Sequence, residues 1–231
     1  MVAKPDASGG RNLKRMTLDF LGRGSLSECI EGIISIPERQ VINPLISFLL
    51  HKDPIVRWRS VMAIGEVLGR LALRDMESAR VIMRRFMWSL NDESGGIGWG
   101  APESMCVSVA NSDGIASEYG SIVVSYLDVN GNYLEYEPLQ RGLIWGIVYL
   151  ARNRRDSVLT AKPYLPHYLD SKDSHVRGLA TVAVKLLKVK DSMEKLRQLT
   201  LDQGEFMSYE DDSVKTFSIR AVASEALESL E

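Results

Sequence analysis

Apolar residues recur at three-and-four spacing along most of this chain, the period of a helix that lays one face against a neighbour. The clearest stretch runs from Asp53 to Gly65. Asp53 supplies an N-cap acceptor, and Pro54 suits the first helical position, where its missing N–H costs nothing. Val56, Ser60, Ala63, Ile64 and Val67 then share one narrow face. The apolar segment 41–50 before it predicts a second helix, so the two form a hairpin. Segments 12–21 and 26–36 predict a further helical pair at the N-terminal end.

The hairpin recurs. Asp173, Val176, Arg177, Gly178, Leu179 and Ala180 repeat the Asp53 pattern, and Ile219, Arg220, Ala221 and Val222 repeat its centre near the end of the chain. A degraded copy, Gln140-Arg141-Gly142-Leu143, keeps the Arg-Gly-Leu triplet found at 177–179. Another, Ile97-Gly98-Trp99-Gly100-Ala101-Pro102, matches positions 56–61 with glycine in place of both Arg57 and Arg59. The marker positions 57, 98, 141, 177 and 220 are separated by steps of 41, 43, 36 and 43 residues. Helical-hairpin repeats of roughly 40–47 residues have this period. The pattern Asp-x-x-Val-Arg-x-x-Ala-x-x-Ala-Leu/Ile-Gly over 53–65 and 173–183 resembles the HEAT-like repeats first described in phycobilisome lyases. The resemblance extends over about residues 40 to 231 and implies an all-α, right-handed α-α superhelix, a HEAT/ARM-like solenoid of about five to six helical hairpins. Its motif residues are caps, core positions and inter-repeat arginines, so it implies fold far more than function.

Composition narrows the classes. With 45% hydrophobic and 25% charged residues, the 231-residue chain has enough apolar content for a sizeable core. Residues 1–11 have no large apolar side chain after Val2 and carry Lys4, Pro5, Asp6, Ser8, Gly9 and Gly10, so they read as a disordered tail, leaving 12–231 as one solenoid domain. No apolar run approaches the ~20 residues needed to span a bilayer, and no signal-peptide pattern opens the chain, so a cytoplasmic location is expected. Two cysteines, Cys29 and Cys106, are too few and too far apart for a disulfide framework or a zinc site. His51, His167 and His175 read as exposed turn residues of different repeats. No cofactor, metal or catalytic residue is expected. A formal charge of −2 argues against a surface dominated by phosphate binding.

One segment breaks the repeat. Residues 84–103 carry four glycines between Gly95 and Gly100, flanked by Trp88 and Trp99. Glycine costs about 1 kcal/mol in a helix interior, so the segment reads as loop to Gly100, with a helix restarting at Ala101 and Pro102. Glycine amides and the following helix N-terminus suit an anion or small molecule, and Trp88 and Trp99 offer aromatic faces. The plainer account makes Asp92 and Glu103 caps and Trp99 a core plug. A second long connection, 128–138, holds the turn signal Asn130-Gly131 followed by alternating Tyr133, Glu135 and Tyr136, and 204–210 echoes it. Either is read as an extended arm or as cover for the core. Arg57, Arg177 and Arg220 are expected to bridge to acidic residues of adjacent repeats.

The candidate partner-binding surface therefore comprises Arg57, Trp58, Arg84, Arg85, Trp88, Asn91, Asp92, Glu93, Trp99, Glu103, Glu135, Tyr136, Glu137 and Arg141, with Arg59 beside them. Patches rich in Trp, Tyr and Arg favour protein interfaces. The expectation is a non-catalytic protein-interaction scaffold or adaptor with another protein as partner. Nucleic-acid binding or DNA repair is the alternative, suggested by arginines at 80–85 and 152–155. A tetrapyrrole (bilin) lyase-like role is implied by the resemblance alone.

Overall fold

The computed structural model describes residues 9–91 and 98–230. The helices expected from the periodicity are present. In chain order they are α1 (Gly10–Leu21), α2 (Leu26–Ile34), α3 (Glu38–Phe48), α4 (Pro54–Arg74), α5 (Met76–Leu90), α6 (Ala101–Asn111), α7 (Asp113–Ser125), α8 (Glu137–Asn153), α9 (Leu165–Tyr168), α10 (Ser174–Leu187), α11 (Met193–Leu199) and α12 (Ile219–Leu230). Short 3-10 turns at Arg155–Ala161 and Lys190–Ser192 precede α9 and α11. α1 opens at Gly10, two residues before the predicted start; residues 1–8 of the expected tail lie outside the described residues.

These elements make six stacked helical pairs. The second helices form a continuous inner row, α4 on α6, α6 on α8, α8 on α10 and α10 on α12, with α2 against α4 at one end. The first helices lie outside them. The caps act as their sequence implies: Asp53 Oδ1 accepts from the Ile55 N–H at 2.9 Å, and Asp173 Oδ1 from the His175 and Val176 N–H groups at 2.9 and 3.1 Å. Leu68, Met105, Ile115, Leu143 and Val184 are fully buried in one core that runs the length of the stack. Among the described residues no helix is long and apolar enough to cross a membrane.

The solenoid carries one addition to the expected all-α plan. Strands β1 (Glu205–Glu210) and β2 (Ser213–Ser218) pair antiparallel, inserted between the two helices of the last pair. Their two-residue turn places Asp211 and Asp212 at φ 51° and 56°, a left-handed conformation that ordinarily favours Asn-Gly. Lys215 bonds Asp211 at 2.6 Å, and Arg59 and Tyr209 both bond Asp212, which offsets the unfavourable backbone. The stretch 204–210 is thus the extended arm. By contrast, 128–136 lies back on the core: Leu134 is buried, its N–H bonding Tyr126 O and its carbonyl accepting from Gln140 Nε2.

The hairpin straps the inner row. Phe206 stacks on its cross-strand partner Phe217 at 5.5 Å and rests on Gly178 of α10, where an added Cβ would meet the Phe206 ring at 2.1 Å. At its tip the strap reaches back to the second pair: Arg59 of α4 bonds Asp212 through Nε at 2.8 Å and Nη2 at 2.6 Å. Gly178→Val is therefore expected to cost about 1–3 kcal/mol by overpacking. It should lower the urea midpoint and red-shift tryptophan emission as the strap lifts, with helical circular dichroism kept below the transition. Unchanged emission would contradict this seating.

Candidate binding groove

The N-terminal ends of α4, α6, α8 and α10 meet the strap around one open cavity of about 310 Å³. Its wall includes Arg57 and Trp58 from α4, Trp99 and Gly100 before α6, Glu103 on α6, Arg141 and Trp145 on α8, His175 on α10, and Met207 and Tyr209 on β1. The register read from the sequence explains this: each repeat places its marker near the start of an inner helix, so side chains from different repeats converge. The aromatic side is continuous. Trp58 stacks on Tyr209 (5.2 Å between centroids, 5° between planes) and leans on Trp145 at 4.4 Å. Trp145 Nε1 donates to Tyr209 O at 3.2 Å, and Trp99 meets Tyr136 edge-on at 6.0 Å.

The floor is polar and incompletely satisfied. α6 starts after Gly100, at φ 75°, with Pro102 in its first turn, as the glycine run implies. Glu103 follows in that turn. Its carboxyl bonds its own backbone N–H, satisfying a free amide of the helix start, and also lies against the backbone of α8 at Gly142, where a Cβ would sit 2.4 Å from the carboxyl carbon. Its Oε2 is buried without a hydrogen-bond partner among the described residues. Burial pushes the Glu103 carboxyl up to about 7, and bonding to its own backbone N–H and the nearby Arg57 guanidinium only partly oppose this. His175, expected as an exposed turn residue, instead turns into the cavity; its Nε2 is buried and unpartnered among the described residues. Burial holds the imidazole below its ordinary pKa, and Arg141 adds to the effect.

The arginines have distinct settings. Arg141 donates through Nε to Asp173 Oδ2 at 2.9 Å, an inter-repeat bridge to the next N-cap. Arg177 donates through Nε to Asp202 Oδ2 at 2.9 Å, in the connection between α11 and β1, whereas Arg220 is exposed with no acidic partner among the described residues. Arg57 lies over the Trp58 ring, 5.8 Å from its centroid. Arg59, grouped with the surface in the sequence, is instead 6% exposed and points inward.

The predicted surface is divided by the fold. Arg57, Trp58, Trp99, Glu103 and Arg141 share the cavity, with Tyr136 at its edge through Trp99. Glu135 and Glu137 line a separate hollow with Tyr133, Gln140 and His167. Arg84, Arg85, Trp88 and Asn91 lie on the outer helix α5 or at its end: Arg84 bonds Glu77 at 2.6 Å, Arg85 bonds Asn43 at 2.7 Å, and Trp88 is 72% exposed. They do not reach the groove because α5 belongs to the outer layer. Asp92, Glu93 and the glycine loop up to Ile97 lie outside the described residues. The residues sequence reasoning missed are His175, Met207 and Tyr209; the aromatic alternation at 204–210 was the one signal for the last two. Among the described residues no three His, Cys, Asp or Glu side chains are grouped to hold a metal. Both cysteines are buried and unpaired, and burial raises both thiols, Cys29 to about 11.

The fold is that of an armadillo/HEAT-like α-solenoid. A designed armadillo repeat protein in complex with the peptide (KR)4 is similar at TM-score 0.58 and 17% identity, over 98% of this chain and 95% of that one. Computationally designed armadillo repeat proteins for modular peptide recognition give 0.55 at 17% identity, over 96% and 92%. An uncharacterized protein of Archaeoglobus fulgidus is 32% identical over 113 residues, 49% of this chain and 55% of that protein, so the chain spans about half the length of the curated relative it matches. No protein-family profile matches the chain.

Proposed function

We propose that the chain is a non-catalytic interaction scaffold that holds a segment of a partner protein along the strapped groove of its inner helices. The observation carrying this reading is the convergence of Arg57, Trp58, Trp99, Glu103 and Arg141, from three repeats, on one open cavity. Its rim exposes Trp99, Tyr136 and Met207, at 37%, 46% and 52%. Exposed aromatic and sulfur-bearing side chains around a partly desolvated centre are what interfaces use as anchors. Similar solenoids designed to bind peptides lend the reading support at the level of fold. The nucleic-acid alternative gains less, because Arg80, Arg84, Arg152 and Arg154 are each paired with a carboxylate. The tetrapyrrole-lyase role, and any closer kinship with phycobilisome lyases, rests on the repeat pattern alone.

Trp99→Ala with Met207→Ala should leave the helical circular-dichroism signal and melting temperature unchanged. It should weaken binding to a partner, first captured from the source extract and then purified, by at least about tenfold, since aromatic anchors carry 2 kcal/mol or more. Trp88→Ala on the outer helix serves as the control and should bind normally. If the groove variant binds as tightly as the unaltered protein, the groove is not the interface.

A further inference from the structure

Two groups in the cavity lack the partner their chemistry calls for. Glu103 Oε2 is buried and unpartnered among the described residues, a state that costs on the order of 1–3 kcal/mol. Arg57 is near enough to act on the Glu103 charge, yet among the described residues it makes no ion pair and lies on the Trp58 ring instead. The two do not satisfy each other, so a third group that accepts from both would complete the site. We propose that the cavity binds a small organic acid, its carboxylate accepting from the Arg57 guanidinium and the Glu103 carboxyl and its apolar body lying against Trp99 and Met207. This goes beyond the interaction reading, which concerns a partner chain at the rim.

The charges around Glu103 favour an anion. Among the described residues Glu103 is the one acid lining the space, against Arg57 and Arg141, and Glu137 of α8 lines the separate hollow. Arg141 is held by Asp173, and His175 of α10 is kept neutral by burial and by Arg141. β1 contributes Tyr209, whose phenol is held protonated by burial and by its bond to Asp212, and Cys106 on α6 itself is a neutral buried thiol. α5 and α7, which also pack on α6, contribute no residue to the lining. α6 and α8 begin after Gly100 and Tyr136, neither of which supplies a side-chain cap, so their positive ends add to the field. The uncompensated charge is therefore the Arg57 guanidinium. The apolar surface left open is equally specific. Trp58 and Trp145 cover each other and are covered by Tyr209, Tyr149 and Arg57, whereas Trp99 and Met207 are exposed. β1 closes one side as it crosses α10 at Gly178 and α8 at Trp145. At about 310 Å³ the space is at the small end of ligand sites, the scale of a one-ring acid.

Binding then carries a proton signature. Burial holds Glu103 at about 7, so near neutral pH the unoccupied site is part carboxylate, which repels the ligand, and part carboxylic acid, which donates to it. The ligand selects the acid form, and a proton is taken up from solvent. The protonated fraction falls about tenfold from pH 6 to pH 8, so affinity should be about tenfold tighter at pH 6. Protonation of His175 acts with the same sign.

The test titrates the whole chain with phenylacetate, which is ionised at both pH 6 and pH 8, with neutral phenylacetamide and with inorganic phosphate, read by tryptophan fluorescence and by calorimetry. Saturable binding of phenylacetate at millimolar concentration or below, about tenfold tighter at pH 6, is the expected result, with phenylacetamide inert and phosphate weaker at that pH. Arg57→Gln, shown folded by circular dichroism, should weaken phenylacetate binding at least about tenfold, because it removes the charged donor. Glu103→Gln keeps a neutral donor and should bind at pH 8 about as tightly as the unaltered protein does at pH 6, a gain that a merely structural carboxyl does not predict. Lack of saturation at millimolar phenylacetate, affinity equal or tighter at pH 8, equal binding of phenylacetamide, or no gain on Glu103→Gln would each overturn the inference. Tighter binding of phosphate would overturn it too and assign the cavity to a phosphate-bearing ligand. The scaffold reading is decided separately, by whether the purified partner is lost on Trp99→Ala with Met207→Ala.

Discussion

Replacing Arg59 with alanine should destabilise the protein by about 3–5 kcal/mol, the largest single-residue loss expected in the chain. The guanidinium is almost fully enclosed and satisfies three backbone carbonyls at once, Leu21 and Arg23 through Nη1 at 3.1 Å and Gly24 through Nη2 at 2.7 Å. Two further bonds hold Asp212 at the strap tip, 153 residues away. Alanine would orphan those carbonyls and leave Asp212 without its counter-charge while its backbone stays left-handed. Three structural units, the α1–α2 turn, α4 and the hairpin, lose their common clasp. A urea titration should show a lower midpoint, and hydrogen exchange should rise together at 21–24 and 205–218. Retention of protection in the strap would mean that Trp58, Trp145 and Phe206 suffice to hold it.

Glu103→Gln is expected to stabilise the protein at pH 8 by on the order of 2–3 kcal/mol and to leave it nearly unchanged at pH 4, at about 1.4 kcal/mol per pKa unit, with the upper figure discounted for water in the open cavity. The sign follows from where the proton is held. Glu103 titrates at about 7 in the folded chain, against an ordinary value of 4.5 when unfolded. Between these values the folded state binds more protons, so stability falls as pH rises through that window and the whole penalty is present above about 7. Glutamine carries no charge to desolvate and removes the penalty. Urea midpoints of both proteins at pH 4 and pH 8 decide the point. A variant that gains nothing at pH 8 would show that the carboxylate is adequately solvated in the groove.

Most of the scaffold was legible because it is local. Asp53, Pro54 and Asp173 act through hydrogen bonds and ring geometry spanning a few residues, and the apolar faces of α4 and α10 follow from helical period alone. The start of α6 at Ala101 followed from the conformational cost of glycine. The strap was half legible. Its aromatic alternation stood out, but its turn is Asp-Asp rather than Asn-Gly, tolerable only because Arg59, Tyr209 and Lys215 bind those aspartates.

The site divided along the same line. Trp58 and Trp99, at equivalent repeat positions, and Arg141, at the marker position, line one cavity, since a solenoid converts register into adjacency. Grouping Arg84, Arg85 and Trp88 with them failed, because sequence proximity to Trp99 does not reveal that α5 lies in the outer layer. His175 escaped notice for the converse reason. A lone histidine after a helix cap has no distinguishing pattern, and only the approach of α8 and the strap gives it a buried nitrogen.

The amino-acid sequence by itself determined the helices, their caps, the repeat period and therefore the solenoid, all consequences of interactions within a few turns or between successive repeats. Tertiary structure alone decided that the last repeat's arm returns across the inner row, that Arg59 is a clasp and not a surface residue, and that Glu103 lines a cavity. Those outcomes depend on desolvation and on contacts across as many as 153 residues. A carboxylate's burial, unlike a helix's period, is set by everything packed around it.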